Sequence, residues 1–380
     1  MIKIAVVVEN SSEYGRQIID GIADYAQKER DWRLVWVSPR NFDAAMLSAG
    51  CQGVIARVVT DGMARKLRKA GLPVVDIFCA RQRPNFHGVD SDHFAIGRMA
   101  AEHFLSKRHT SLAFAGFTGV PFSDLRLKGF IETLRDQGIT PTVLTSAMTN
   151  DHRTFFNDQI VDVVESHPLE KWIRRLSRPT ALFAANDLMA LQVSRLAEKN
   201  GIRIPADLLV LGVDDDRQLC AFAGTPMSSI DPNAFEVGRS AARILSAVIR
   251  DPPDKKLHPI YRVRPKSLVE RASTQHHGIT PEWLADALGF IDSSLDCSLS
   301  TSDIVEHTGL SHVAVSKMFQ KKLGMSPQRY INKLKMDAAK QMLENDGSLR
   351  VKEVALRLGF SSLAYFCNVY RQYWGHAPRD

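Results

Sequence analysis

The 380-residue sequence predicts two regions of different class: an α/β region of two lobes, each a doubly wound parallel sheet, over residues 1–272, and an all-α region with two helix-turn-helix motifs over residues 280–380. Three observations carry this. In the first 270 residues, short runs rich in Val, Ile and Phe alternate with longer stretches of helical period, as in βαβ units. From Pro281 the strand signals stop and helical patterns follow one another. Within that tail one pattern occurs twice, about 50 residues apart.

Residues 2–8 form the first predicted strand, and Ile18, Ile22 and Ala26, with Ile19 and Ala23 beside them, mark one face of the helix that follows. Further strands are expected at 34–37, 53–58 and 73–78, with a helix after Asp92. The pattern restarts at 111–117 and continues with strands at 181–185 and 208–213. The lobes are expected to comprise residues 1–110 with 230–250, and residues 111–226, enclosing a cleft at the carboxyl ends of their strands.

Length excludes a single small module, and 44% apolar with 24% charged residues excludes a disordered chain. The apolar run 4–8, stopped by Glu9, is far below the ~20 residues of a bilayer span and too short for a signal-peptide core, so a cytoplasmic protein without membrane attachment is expected. Five cysteines (Cys51, Cys79, Cys220, Cys297, Cys367) share no metal-ligand spacing, which predicts free thiols, no zinc site and no disulfide framework. The chain has no phosphate-binding loop, dinucleotide fingerprint, HExxH or nucleophile elbow; no cofactor is expected, and binding is favoured over turnover.

Polar residues directly after the predicted strands define the cleft. They are Glu9, Asn10, Glu13 and Tyr14 after the first, Asn186 and Asp187 after 181–185, and Asp214 with Asp215 and Asp216 after 208–213. Arg126 opens a helix on the same side. Carboxylates, an amide and a guanidinium near an aromatic ring suit hydroxyl groups, with the ring covering a C–H face. Asp187 could instead cap the following helix, and Asp215 or Asp216 could be a solvated turn.

Tyr14-Gly15-Arg16, Gly88-Val89-Asp90-Ser91-Asp92, Phe183-Ala184-Ala185-Asn186-Asp187 and Leu211-Gly212-Val213-Asp214 resemble the effector domain of LacI/GalR-type repressors and periplasmic pentose-binding proteins. The resemblance covers roughly residues 1–270 and implies a periplasmic-binding-protein-like fold. It implies sugar contacts for Arg126, Asn186 and Asp214, joined here by Tyr14, Glu13 and Asp187 as ligand-binding candidates. Where ribose-binding relatives carry Asp-Arg after the Pro-Val strand, this chain has Phe78-Cys79. The N-terminal helix-turn-helix of LacI-type repressors is missing, so a DNA reader must lie elsewhere.

The tail supplies one. Net charge is +7 over the chain and again +7 over residues 311–380, whereas 281–310 carries −6. The sharpest basic stretch holds Lys317, Lys321, Lys322, Arg329, Lys333 and Lys335 with no acid, which suits a polyanion but equally a solvated helix face. Val354, Ala355, Gly359 and Phe360 repeat Ile304, Val305, Gly309 and Leu310 at an offset of 50, and Tyr370, Gly375 and Pro378 repeat Phe319, Gly324 and Pro327 at 51. The helix-turn-helix units are placed at 301–323 and 351–374, joined by a helix over 328–344. Such a linker would hold two reading helices about one DNA turn, roughly 34 Å, apart.

The motif Gly359-Phe360-Ser361-Ser362-Leu363-Ala364-Tyr365-Phe366, with Tyr370 and Trp374-Gly375-His376-Ala377-Pro378, resembles AraC/XylS-type activators over residues 281–380. It implies DNA contacts by His312, Val313, Ser316, Lys317 and Lys321 in the first unit and by Leu363, Ala364, Cys367 and Asn368 in the second. Lys317 can donate to guanine and Asn368 can pair with adenine, while Val313, Leu363 and Ala364 reach thymine methyls or nothing. Such relatives usually continue past the final proline, which makes Asp380 a trimmed end by the same resemblance.

Both halves in this order resemble the xylose-responsive XylR-type activators. That implies an allosteric regulator of sugar-catabolism genes, with operator DNA and a pentose, D-xylose first, as partners, a homodimer and RNA polymerase as a further contact. The alternatives are a sugar sensor or carrier whose C-terminal helices bind a protein, and a sugar-transforming enzyme using Asp214 with Glu9 or Glu13.

Overall fold

The computed structural model describes residues 2–29, 31–39, 47, 50–79, 86–147, 167–251, 260–278, 281–345 and 349–378. The chain divides into two compact units, Met1–Ser106 with Thr110–Thr274, and Lys107–His109 with Gln275–Asp380. Of the expected joint at 278–280, Gly278 is described, its N–H donating to the Lys107 carbonyl at 2.9 Å; the other two residues lie outside the described ones.

The first unit opens with β1 (Ile2–Val7), α1 (Glu13–Lys28), β2 (Trp32–Trp36), β3 (Gly53–Ala56), α2 (Asp61–Ala70), β4 (Val74–Asp76) and β5 (Phe86–Ser91). It continues with α3 (His93–Ser106), β6 (Leu112–Thr118), α4 (Pro121–Arg135), β7 (Thr142–Ala147), α5 (His167–Arg175), β8 (Thr180–Ala184), α6 (Asp187–Lys199), β9 (Leu208–Val213), α7 (Arg217–Phe222) and β10 (Ser228–Asp231). Helix α8 (Ala234–Arg250), β11 (Ile260–Val263) and β12 (Ser267–Val269) follow.

These strands form two six-stranded sheets, ordered β2-β1-β3-β4-β5-β11 and β7-β6-β8-β9-β10-β12. All pairings are parallel except β10 with β12. In each sheet the order reverses beside the first strand, between β1 and β3 and between β6 and β8, where open α/β sheets leave a crevice. Strands such as β8 and β9 are covered on both faces and buried throughout, which is why they read as unbroken apolar runs.

The lobe boundaries differ from those the sequence predicts. Ile96, Ala100, Ala101 and Phe104 of α3 belong to the core built on Phe114, Phe130 and Phe183, so the chain leaves the first lobe at Asp92 rather than near 110. It returns after β10, at Pro232–Asn233, because Ser228–Asp231 pairs with β9; α8 then packs on the first core through Val237, Ala241 and Leu245. A third crossing runs from β11 to β12. Periodicity shows that a helix has an apolar face but not which sheet covers it, and strands as polar as Phe86–Ser91 or Ser228–Asp231 escape a hydrophobic pattern.

The three crossings are tied to one another. Ser91 Oγ donates to the Pro232 carbonyl (3.0 Å), Asp92 N–H to Val263 O (2.7 Å) and Lys266 N–H to Asp231 O (3.0 Å). On the lobe faces, α3 meets α4 so closely that a Cβ on Gly97 would lie 2.0 Å from Arg126 O.

The second unit holds α9 (Glu282–Ser293), α10 (Thr301–Thr308), α11 (His312–Leu323), α12 (Pro327–Asn345), α13 (Val351–Arg357) and α14 (Leu363–Trp374). It has two cores. Ile304, Val315, Phe319 and Ile331 centre one, and Met336, Ala339, Val354, Phe366 and Tyr370 the other, so α12 contributes one end to each. The two halves share their punctuation. Ser311 and Ser362 cap the reading helices by accepting from Ala314 and Tyr365 N–H, and Gly309, Gly324, Gly359 and Gly375 all take the left-handed conformation. Lys107 joins this unit through Asp292 (2.9 Å), which also accepts from His277 Nε2 (2.9 Å).

Candidate ligand cleft and nucleic-acid interface

A cleft between the lobes is lined by Ser12, Tyr14, Arg57, Phe78, Asp90 and His93 from the first crevice and its crossing, and by Phe122, Arg126, Asn186 and Asp214 from the second. The space among them, counted out to open solvent, is about 440 Å³. Each side offers an arginine held against aromatic rings. The Arg57 guanidinium lies 5.0 Å from the Phe78 ring centre and 5.7 Å from that of Tyr14, and Arg126 lies 5.1 Å from Phe122.

These charges are fixed by partners. Arg57 pairs with buried Glu9, which also accepts from Ser12 Oγ, while Arg126 donates to the Ala185 carbonyl and stands 3.8 Å from Asp214. Asp90 accepts from Arg262 at 2.8 Å and faces His93 Nε2 at 3.2 Å. Burial pushes the Tyr14 hydroxyl pKa far up, helped by the Asp90 charge, and the hydroxyl bonds to Ser91 Oγ (3.3 Å).

Asp214 directly follows β9 at φ 120°, and Asp215 comes next at φ 47°, a left-handed excursion that costs a side-chain-bearing residue ~1–3 kcal/mol. It is held by Asp214 N–H to Ile230 O (3.0 Å), Asp215 N–H to Ser229 Oγ (3.0 Å) and the Asp215–Arg271 pair (2.7 Å). The turn aims the Asp214 carboxylate at the cleft. Burial raises its pKa although Arg126 opposes the shift, and the same cause, reinforced by the Asp214 charge, raises that of Asp187.

Of the six ligand candidates, the cleft brings together Tyr14, Arg126, Asn186 and Asp214. The residue that caps α6 is Asn186, whose Oδ1 accepts from Met189 N–H (3.0 Å), leaving Nδ2 as a donor. Asp187 lies wholly buried beneath the lining: its oxygens accept from Ser229 Oγ (2.7 Å) and Asp216 N–H (2.8 Å), and it fills the space a Gly212 side chain would need. Glu13 turns back along α1 to Arg16 (2.9 Å) and Gln17 (3.1 Å) and is not among the lining residues. Its pKa is lowered by these bonds against its partial burial. Reading the sequence missed Ser12, Arg57, Phe78, Asp90, His93 and Phe122 as lining residues. Arg57 sits directly after β3 and Phe78 two residues after β4, but the strands expected at 53–58 and 73–78 run over both, which hides them from the rule that found Asp214.

In the second unit His312, Val313, Lys317 and Lys321 are exposed on α11 with Ser316 half-buried among them, a stripe at helical spacing. On α14, Leu363, Ala364 and Asn368 are exposed and Cys367 is half-buried; Tyr365 and Arg371, not predicted, are exposed there too. One basic residue is corrected. Lys335 is buried, its ammonium donating to Cys297 O (2.5 Å) and Leu358 O (2.7 Å) 5.3 Å from the Phe360 ring centre, so it belongs to the framework and not to an exposed basic face. Burial lowers its pKa. Among the described residues there is no cluster suited to a metal ion and no helix long and apolar enough to cross a membrane.

Residues 101–274 match the periplasmic binding protein-like domain and residues 304–380 the helix-turn-helix domain. The chain is thus a DNA-binding transcription regulator that joins a periplasmic-binding-protein-like sensor to a twin helix-turn-helix reader. It is 22% identical to the xylose operon regulatory protein of Escherichia coli strain K12, over 100% of this chain and 96% of that one, and 21% identical to that of Haemophilus influenzae, over 100% and 97%. The solved structure of a xylose-binding transcription activator, xylR, superimposes with a TM-score of 0.60 at 21% identity, covering 99% of this chain and 96% of that one.

Proposed function

We propose that the chain is a cytoplasmic, homodimeric activator whose cleft takes a pentose, D-xylose first, and whose twin reading helices then engage operator DNA beside RNA polymerase. The observation that carries the sugar is the cleft itself: two arginines against aromatic rings, an asparagine amide and a carboxylate, drawn from both lobes and mostly buried. Such groups hydrogen-bond hydroxyls while the rings cover C–H faces. The full-length likeness to xylose operon regulatory proteins supports D-xylose among the pentoses. Binding without turnover is the expectation, because the lining carboxylates face cations already, Asp90 with Arg262 and Asp214 with Arg126.

A ligand that touches both lobes favours their closed arrangement, with the bonded crossings as the pivot. Sugar and operator affinities are then linked reciprocally, by a coupling of ~1–3 kcal/mol. Calorimetric titration of D-xylose into the wild type and Asp214→Ala tests the reading. Saturable binding that weakens about tenfold or more in the variant supports it; equal affinity in both, or none in the wild type, overturns it.

A further inference from the structure

We infer that His93 reads the ligand as a hydrogen-bond acceptor, so that the sugar must turn a hydroxyl proton toward its Nδ1. This rests on the sugar-binding reading above and adds a specificity-determining residue to the same cleft. His93 opens α3 at the first crossing, is 5% exposed and lines the cleft. Its Nε2 faces Asp90 Oδ1 at 3.2 Å, and the other Asp90 oxygen accepts from Arg262 at 2.8 Å. A carboxylate only accepts, so the proton of the ring sits on Nε2. Burial lowers the pKa of His93 against the pull of Asp90, which keeps the ring neutral. Nδ1 is then a bare lone pair, buried and without a partner among the described residues.

The remaining polar groups of the cleft sharpen what fits. Arg57, Arg126 and the Asn186 Nδ2 group donate, and both Asp90 oxygens are engaged by Arg262, His93 and Ser91 N–H. The lining acceptors left for a ligand are Asp214, the Tyr14 and Ser12 hydroxyl oxygens, which donate to Ser91 and Glu9, and His93, whose Nδ1 has no proton of its own to turn toward the cleft. Donors alone would suit a sugar phosphate or sugar acid, whereas a bare imidazole nitrogen repels such oxygens and gains nothing from a methyl ether or a C–H. The ligand group facing α3 is therefore a free hydroxyl, not a phosphate, carboxylate or ether oxygen.

The test is a ligand and protein cycle with D-xylose and its 2-, 3- and 4-deoxy forms, titrated into the wild type and His93→Phe. One deoxy sugar should bind the wild type about 5- to 150-fold more weakly than D-xylose. That penalty should vanish in His93→Phe while the other two persist; an unchanged pattern overturns the inference and leaves the sugar assignment standing. If the wild type binds none of these sugars, the assignment falls and the inference with it. If His93→Phe binds nothing measurable, ¹⁵N spectra of the imidazole in the wild type decide: a pyridine-type Nδ1 whose resonance moves on adding D-xylose supports the inference, and a protonated Nδ1 overturns it.

Discussion

Arg57 and Arg126 in the cleft are 6% and 2% exposed and each is bound to a protein partner, whereas Lys317 and Lys321 stand in solvent on α11. On the sugar-binding reading the cleft takes a small molecule that brings no counter-charge, so its charges must be neutralised and aimed beforehand, and Arg57, Arg126 and Asn186 are also part of the framework. The reading helices await a polyanion, which itself supplies the counter-charge, so their cations need no partner in the fold. The cleft should therefore lose stability and binding together, whereas the reader should lose binding alone.

The largest expected effect is at Glu9. Glu9→Ala leaves Arg57 buried without its carboxylate, a change that costs ~3–5 kcal/mol in buried pairs. Calorimetric melting of the whole chain should show the sensor transition falling by several degrees, while Lys317→Ala leaves both transitions in place. A stable Glu9→Ala variant would remove the distinction between the two regions.

Next comes pH. Asp187 has a folded pKa raised by burial, so the native state holds its proton longer than the unfolded chain does. Its contribution is fully present below the ordinary carboxylate range and is lost as pH rises from there through the raised value. Asp187→Asn should flatten that decline in sensor stability, measured by urea unfolding at several pH values. A decline of equal slope in the variant would place its cause elsewhere.

Lys335 sharpens the contrast from inside the reader. It lies in the same basic run as Lys317 but is buried on the carbonyls of Cys297 and Leu358, so Lys335→Met should cost the fold ~1–3 kcal/mol. Lys317→Ala should cost ~1–3 kcal/mol of discrimination at one base pair and less than about 0.5 kcal/mol of stability. Melting and operator binding on the two variants check this pair.

How far the sequence foretold these differences depends on how local each one is. The twin reader was legible to its boundaries because a cap, a glycine turn and an apolar triplet lie within a few residues of one another and recur at a fixed offset. The cleft was legible by half. Asp214 and Asn186 follow apolar strands and announce themselves, but Asp90 and His93 sit where a strand too polar to recognise crosses between lobes, and their roles come from Arg262 and Phe122, distant in sequence. Glu13 was picked for its place after the first strand and Lys335 counted for its place in a basic run, and neither position shows the partner, Arg16 for the one and the Cys297 and Leu358 carbonyls for the other, that turns the side chain away.

The smallest effect, at Lys321, isolates the charge term. It lies one turn beyond Lys317 on α11 and is exposed, and a lysine there would meet phosphate as a point charge. Lys321→Ala should weaken operator and unrelated DNA alike, and the slope of log K against log salt should become shallower by about 0.9, as when one phosphate fewer is neutralised. Melting should not move, since no partner in the fold loses its charge. An unchanged slope would make this end of the basic stretch a solvated surface. A loss of stability would mean that exposed cations of the reader are also structural, and the division between a pre-paired cleft and an unpaired reader would fail at its simplest point.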